Sequence, residues 1–132
     1  MLILNVDDDL DDREFFSDAI KVVDPEFPCV LFENGVELLT YLETNKTPPD
    51  YIFIDINMPK MNGYECAQEI KLNYLSGETQ IVMYSTAFNP KDLMDFDKAG
   101  FKYILKQNAL TDLVKTIKTV ISLPTYQLAE TP

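Results

Sequence analysis

Five short apolar runs alternate with stretches of helical spacing, and this alternation constrains the chain more than any other feature. The runs are Leu2 to Val6 (LILNV), Cys29 to Phe32 (CVLF), Tyr51 to Ile54 (YIFI), Gln80 to Tyr84 (QIVMY) and Phe101 to Leu105 (FKYIL). Each is short and rich in β-branched or aromatic residues, which reads as a strand. After the first, Phe15, Phe16, Ala19, Ile20 and Val23 recur at helical spacing, with Asp11, Asp12 and Glu14 near the helix start where acids favour the dipole. Asn34 is placed to cap a second helix carrying Val36, Leu38, Leu39 and Leu42. A third helix follows Gly63, with Cys66, Ala67 and Ile70 on one face, and runs to about Tyr74. Gly77 marks a turn, Asn89-Pro90 opens a fourth helix and Gly100 closes it. A last helix spans Leu110 to Ile121 around Leu113, Val114, Ile117 and Val120.

Strand–helix alternation of this kind implies an α/β domain: a parallel sheet with helices on both faces. Five strands in so small a domain predict the flavodoxin-like doubly wound order 2-1-3-4-5 with five helices. The domain is expected over residues 1–122, with residues 123–132 a short tail. In that order the first and third strands are neighbours, and the crevice lies at their carboxyl ends. The third strand ends at Asp55, and Pro59 and Gly63 then break the chain into a loop. The first ends at Asp7 and Asp8, the fourth at Ser85, Thr86 and Ala87, and the fifth at Lys106.

Three carboxylates in one crevice repel one another, and a bound cation relieves that cost. Oxygen ligands without histidine or cysteine favour a hard ion, and a few carboxylates with room for water and phosphate favour Mg2+. One carboxylate can also attack phosphorus. A lysine and a hydroxyl on the same rim then supply what phosphoryl transfer needs around the phosphoryl oxygens. A solvated acidic rim with a stray Ser and Lys would explain any one of these residues, but not all of them at the ends of different strands.

Charge narrows the partners. The chain has 132 residues, 22 acids against 11 bases and a formal charge of −11. Such a surface repels nucleic acid and anionic membrane, and suits divalent cations and other proteins. No apolar run is long enough to span a membrane and no signal peptide is visible, so a cytoplasmic location is expected. Histidine is absent, so the chain cannot itself donate phosphate from histidine. Cys29 and Cys66 have no metal-type spacing and read as small buried hydrophobes.

The set VDDD (Val6–Asp9), IDINMPKMNG (Ile54–Gly63), YSTA (Tyr84–Ala87) and YILK (Tyr103–Lys106) resembles the receiver domain of bacterial two-component response regulators. The resemblance covers about residues 1–122. It implies that Asp55 is the phosphoacceptor, and that Asp8 holds Mg2+ directly and Asp7 through water, with Asp55 and the backbone carbonyl of Asn57 completing the protein ligands. Lys106 is then the phosphate-pairing lysine, and Ser85 or Thr86 the switch hydroxyl. Ser85 is preferred because it leaves the fourth helix its usual length before Gly100. Tyr103 fills the switch aromatic position, and Asn57 and Ala87 fall where family members tune loss of the phosphate.

Two departures lie beside Lys106. The family usually has proline after the lysine, often with a cis bond, where this chain has Gln107. A cis bond before a residue other than proline costs about 2.5–4 kcal/mol, so a trans Lys106–Gln107 peptide is expected. The link from Gly100 to Tyr103 is also one residue short of the family pattern.

By this resemblance the chain is a stand-alone receiver, not an enzyme beyond its own phosphorylation and autodephosphorylation. A histidine kinase or histidine phosphotransfer protein supplies the phosphate. A downstream protein reads a face built from the fourth helix, fifth strand and last helix, around Asp92, Asp95, Phe96, Tyr103 and Lys115. Three alternatives compete. A phosphorelay intermediate would pass the phosphate to a phosphotransfer protein. A small Asp-nucleophile phosphohydrolase would need a second Asp at position 57, which is Asn. A flavodoxin-type cofactor binder would need a glycine- and hydroxyl-rich phosphate loop after the first strand, where this chain has acids.

Overall fold

The computed structural model describes residues 1–74 and 78–122. The turn expected at Gly77 and the tail expected over 123–132 lie outside the described residues. The element order is β1 (Ile3–Val6), α1 (Leu10–Val23), β2 (Cys29–Phe32), α2 (Gly35–Thr44), β3 (Tyr51–Asp55), α3 (Gly63–Asn73), β4 (Gln80–Ser85), α4 (Pro90–Ala99), β5 (Lys102–Leu105) and α5 (Leu110–Ser122). All four strand pairings are parallel, and the order is β2-β1-β3-β4-β5, as expected.

Each face of the sheet carries its own core. Ile3, Phe53, Val82, Tyr84 and Ile104 pack with Phe16, Ala19 and Ile20 of α1 and Leu113, Val114 and Ile117 of α5. Leu4, Ile52, Ile54, Ile81 and Met83 pack with Leu38 of α2, Cys66, Ala67 and Ile70 of α3 and Phe96 of α4. The division follows from the period-two alternation of a strand. β3 is buried along its whole length, while β2, at the edge, is half-buried throughout. Cys29 is therefore only half-buried, whereas Cys66 is fully buried. Burial pushes the Cys66 thiol up to about 12 and the Cys29 thiol up to about 11, so both stay protonated at neutral pH. Val36 was expected in the apolar stripe of α2 but is exposed.

The helix ends follow the sequence closely. Asp9 caps α1 by accepting from the Asp12 N–H, and Asn34 caps α2 by accepting from the Glu37 N–H. At α4, Asn89 and Asp92 form a reciprocal capping box with Pro90 in the first turn. Gly100 ends that helix at φ 79°, the left-handed conformation for which glycine is suited. These devices fix where each helix begins relative to the strand before it, and so set the rim of the crevice.

Candidate functional site

At the end of β1, the Asp7 side chain leaves on the α1/α5 face, the same face as Ile3 and Asn5 before it. Asp55, two residues beyond Phe53, leaves β3 on that face too. Strands β1 and β3 are hydrogen-bonded neighbours, so the two carboxylates meet. Asp7, Asp8 and Asp55 each bring a carboxylate oxygen to within 4.8 Å of the others. Asp7 and Asp55 are buried, and Asp8 is exposed at the mouth. The grouping expected from the strand ends is thus present.

The loop after Asp55 is tightly folded. The Asn57 N–H donates to Asp55 Oδ1 at 3.3 Å, and Gly63 N–H donates to the Ile56 carbonyl at 2.8 Å. Lys60 takes φ 69°, unusual for a residue with a side chain. A Cβ on Gly63 would stand 2.2 Å from the Asp55 carbonyl oxygen, so the start of α3 presses directly on the backbone of Asp55. Only glycine permits that approach.

Lys106 lies beyond the end of β5 and reaches back over the crevice. Its N–H donates to the Ser85 carbonyl at 2.7 Å. Its Nζ donates to Asp7 Oδ2 at 2.7 Å and to Asp12 Oδ2 at 2.8 Å, and lies 3.7 Å from Asp55 Oδ1. The ammonium also sits 5.3 Å from the centre of the Tyr84 ring. The described residues contain no cis peptide bond, as expected for Lys106–Gln107, and Lys106 still enters the crevice.

Asp12 as a partner of Lys106 was not read from the sequence. It stood there only as a first-turn acid of α1. The available signal is that only three residues separate the end of β1 from the start of α1, so its first turn overlooks the same crevice. Two further contacts fix Asp7: its Oδ1 accepts from the Asp9 N–H at 3.0 Å, and its carbonyl accepts from Arg13 Nη1 at 2.7 Å.

The electrostatics follow from this geometry. Burial first, and then the neighbouring Asp7 charge, push Asp55 up to about 7 against the opposing pull of Lys106 and the Asn57 N–H. Asp7 is raised by burial, opposed by Lys106 and the Asp9 N–H. Burial alone would lower Lys106, but the hydrogen bonds it donates to Asp12 and Asp7 outweigh it and hold the ammonium firmly charged. A buried carboxylate that is expensive to ionise, beside two others, fits a site that takes up a cation. All three donors are hard oxygens, which fits a hard divalent ion.

The remaining expected residues lie on the rim. Ser85 is buried, and its hydroxyl donates to the Ala87 carbonyl at 3.0 Å, whereas Thr86 is exposed. Tyr103 is 39% exposed, its ring 5.7 Å from Phe88 and 6.0 Å from Phe96. Phe96 itself is buried in the core under α4, so it cannot form part of an exposed partner face. Asp92 and Asp95 line a cavity of about 510 Å³ with Asn57 and Tyr64, on the side of α4 that turns towards α3. Leu105, two residues further along β5, is exposed on the same side as Tyr103, and Lys115 on α5 is also exposed.

Residues 3–118 match the response regulator receiver domain. The chain belongs to that family. It is 25% identical over 127 residues to the response regulator Rcp1 of Synechocystis, covering 92% of this chain and 86% of that one. The phosphorylated cyanobacterial phytochrome response regulator RcpA superposes with a TM-score of 0.78 at 27% identity, covering 90% of this chain and 89% of RcpA. A structure of Rcp1 in its Mn(2+)-bound form superposes at 0.77 with 23% identity, covering 99% and 96%. No described helix is long and apolar enough to cross a membrane.

Proposed function

We propose that this receiver domain accepts a phosphoryl group on Asp55 from a phosphohistidine of a histidine kinase or phosphotransfer protein, with Mg2+ bound. The phosphorylated form then signals through a changed protein-binding surface. The observation that carries this reading is the Asp7, Asp8 and Asp55 cluster with the Lys106 ammonium 3.7 Å from Asp55. In the transfer, an Asp55 carboxylate oxygen attacks phosphorus and the phosphorus–nitrogen bond of the donor breaks. The imidazole leaves with the electron pair and takes a proton, and an acyl phosphate remains on Asp55.

Asp7, Asp8, Asp55 and the Asn57 carbonyl are the groups that would hold the ion. When bound it offsets charge on the carboxylates and on the phosphoryl oxygens. Lys106 pairs with a second phosphoryl oxygen. Ser85, one residue from the β4 partner of Asp55, turns its hydroxyl from the Ala87 carbonyl to a third. Asn57 and Ala87 flank the phosphate and set how readily water reaches it. Tyr103 then moves against Phe88 and Phe96, altering the face formed by β5, the outer side of α4 and α5.

The test is intact-mass measurement after incubation with a small phosphoramidate donor and Mg2+. Wild type should gain one phosphoryl group, and Asp55→Asn should remain folded and gain none. Equal labelling of the variant would show that Asp55 is not the acceptor.

A further inference from the structure

The Lys106 ammonium is shared unequally. Asp7 and Asp12 each take a short hydrogen bond from it, while Asp55 is about 1 Å further away. A lysine has three N–H donors, and two are committed here. Asp7 belongs to the acidic cluster, but Asp12 does not: it comes from the first turn of α1, and its carboxylate is 42% exposed against 12% for Lys106. The Asp12 backbone is pinned through its N–H to the Asp9 side chain at 3.1 Å, which fixes the first turn from which its carboxylate reaches the ammonium.

We propose that Asp12 is a positioning residue that competes with Asp55 for Lys106 and so restrains phosphorylation. This rests on the phosphoacceptor reading above. Lys106 has a third N–H for a phosphoryl oxygen on Asp55, but drawing the ammonium from 3.7 Å towards that side strains its two short bonds, one of which lengthens. The Asp12 bond, half open to water, is the weaker to lose, because solvent screens the pair and can solvate the freed carboxylate. Asp12 thus sets a resting position for the lysine that a dianionic phosphoryl group can overcome. It also makes uptake of phosphate slower than it would be with a neutral residue in its place.

The experiment follows the rate of Asp55 phosphorylation by phosphoramidate with saturating Mg2+, together with crystal structures of the metal-free proteins. Asp12→Asn should accelerate phosphorylation about 1.5- to fivefold, the range expected for removing one charged partner of a partly exposed pair. Asp12→Glu, which keeps the charge, should return the rate close to wild type. In a Lys106→Ala background the Asn substitution should give no acceleration. In crystals of Asp12→Asn, Lys106 Nζ should close on Asp55 to hydrogen-bond distance, about 2.7–3.2 Å. An unchanged or slower rate, or an acceleration of equal size without Lys106, overturns the assignment. A wild type that takes up no phosphate overturns the proposed function instead. In that event the Lys106 position alone decides this inference: an ammonium that stays where it is in Asp12→Asn refutes it.

Discussion

Removing the charge of Asp55 should stabilise the metal-free protein, and only above mildly acidic pH. Asp55 is held up to about 7, from an ordinary 3.8, chiefly by burial and secondly by Asp7. Below about pH 4 the group is protonated in both folded and unfolded chains and costs nothing. Between about pH 4 and 7 the unfolded chain releases its proton while the folded one keeps it, so stability falls as pH rises. Above 7 both forms are ionised and the loss levels off, at about 4 kcal/mol for a difference of this size. Asp55→Asn removes that slope. The attraction of Lys106 is already contained in the value of about 7, but the amide must still be buried, so the net gain at pH 8 should be about 3 kcal/mol. Urea unfolding of both proteins in EDTA, from pH 4 to 8, measures it. A stability difference that does not change with pH, or a variant less stable than wild type at pH 8, would refute the reasoning.

Three other substitutions bear on the site. Gly63→Ala should cost about 1–3 kcal/mol by urea unfolding, because its Cβ would meet the Asp55 carbonyl at 2.2 Å; wild-type stability would mean that the loop yields freely. At ten times its Kd, Mg2+ should raise stability by about 1.4 kcal/mol. Asp8→Ala should need more Mg2+ for the same gain and be somewhat more stable in EDTA, since the Asp8 charge adds to the cost of ionising Asp55; a melting curve of wild type indifferent to Mg2+ would contradict both statements. Tyr103→Ala should leave phosphorylation of Asp55 nearly intact while weakening phosphate-dependent binding of the output partner, and equal binding by both proteins would place the switch elsewhere.

What could be read from the sequence was what strand and helix geometry dictates. Asp7 and Asp55 follow neighbouring strands whose alternation puts both on one face, so their meeting, with Asp8 at the mouth, followed from strand order; Ser85 was placed at the same rim by the end of β4, but it turns to the other face. The caps at Asn34 and Asn89 and the stop at Gly100 were equally legible, since each residue type has one local conformation to satisfy. Contacts made by long or flexible side chains were not. Lys106 can reach several acids, and nothing in residue order ranks Asp12 above Asp55 for its hydrogen bonds. The misplacement of Phe96 on the partner face has a similar origin. On a short helix between two packed neighbours, a few degrees of rotation decide whether a residue enters the core or the surface, and only the packing of Phe96 against Phe88, Tyr64 and Tyr103 settles it.

The faces on which these residues emerge also restrict how an event at Asp55 can be transmitted. Asp55 and its β4 partner Tyr84 lie on the α1/α5 side of the sheet. Ser85, one residue on, turns to the α4 side, where Tyr103 lies beside its partner Met83. A charge placed on Asp55 and a ring moving at Tyr103 are therefore on opposite faces, and no side chain of β3 or β4 spans the sheet. The route left is around the strand ends. There the Ile56 N–H donates to the Tyr84 carbonyl at 3.3 Å and the Lys106 N–H donates to the Ser85 carbonyl at 2.7 Å. Both bonds hold the backbone on either side of the Ser85 side chain. Drawing that hydroxyl away from the Ala87 carbonyl must loosen the turn leading to Phe88, which is one wall of the space occupied by Tyr103. Lys106 and Ser85 would thus respond to one phosphoryl group from opposite sides of the sheet edge. Tyr103 would respond only to the second of them.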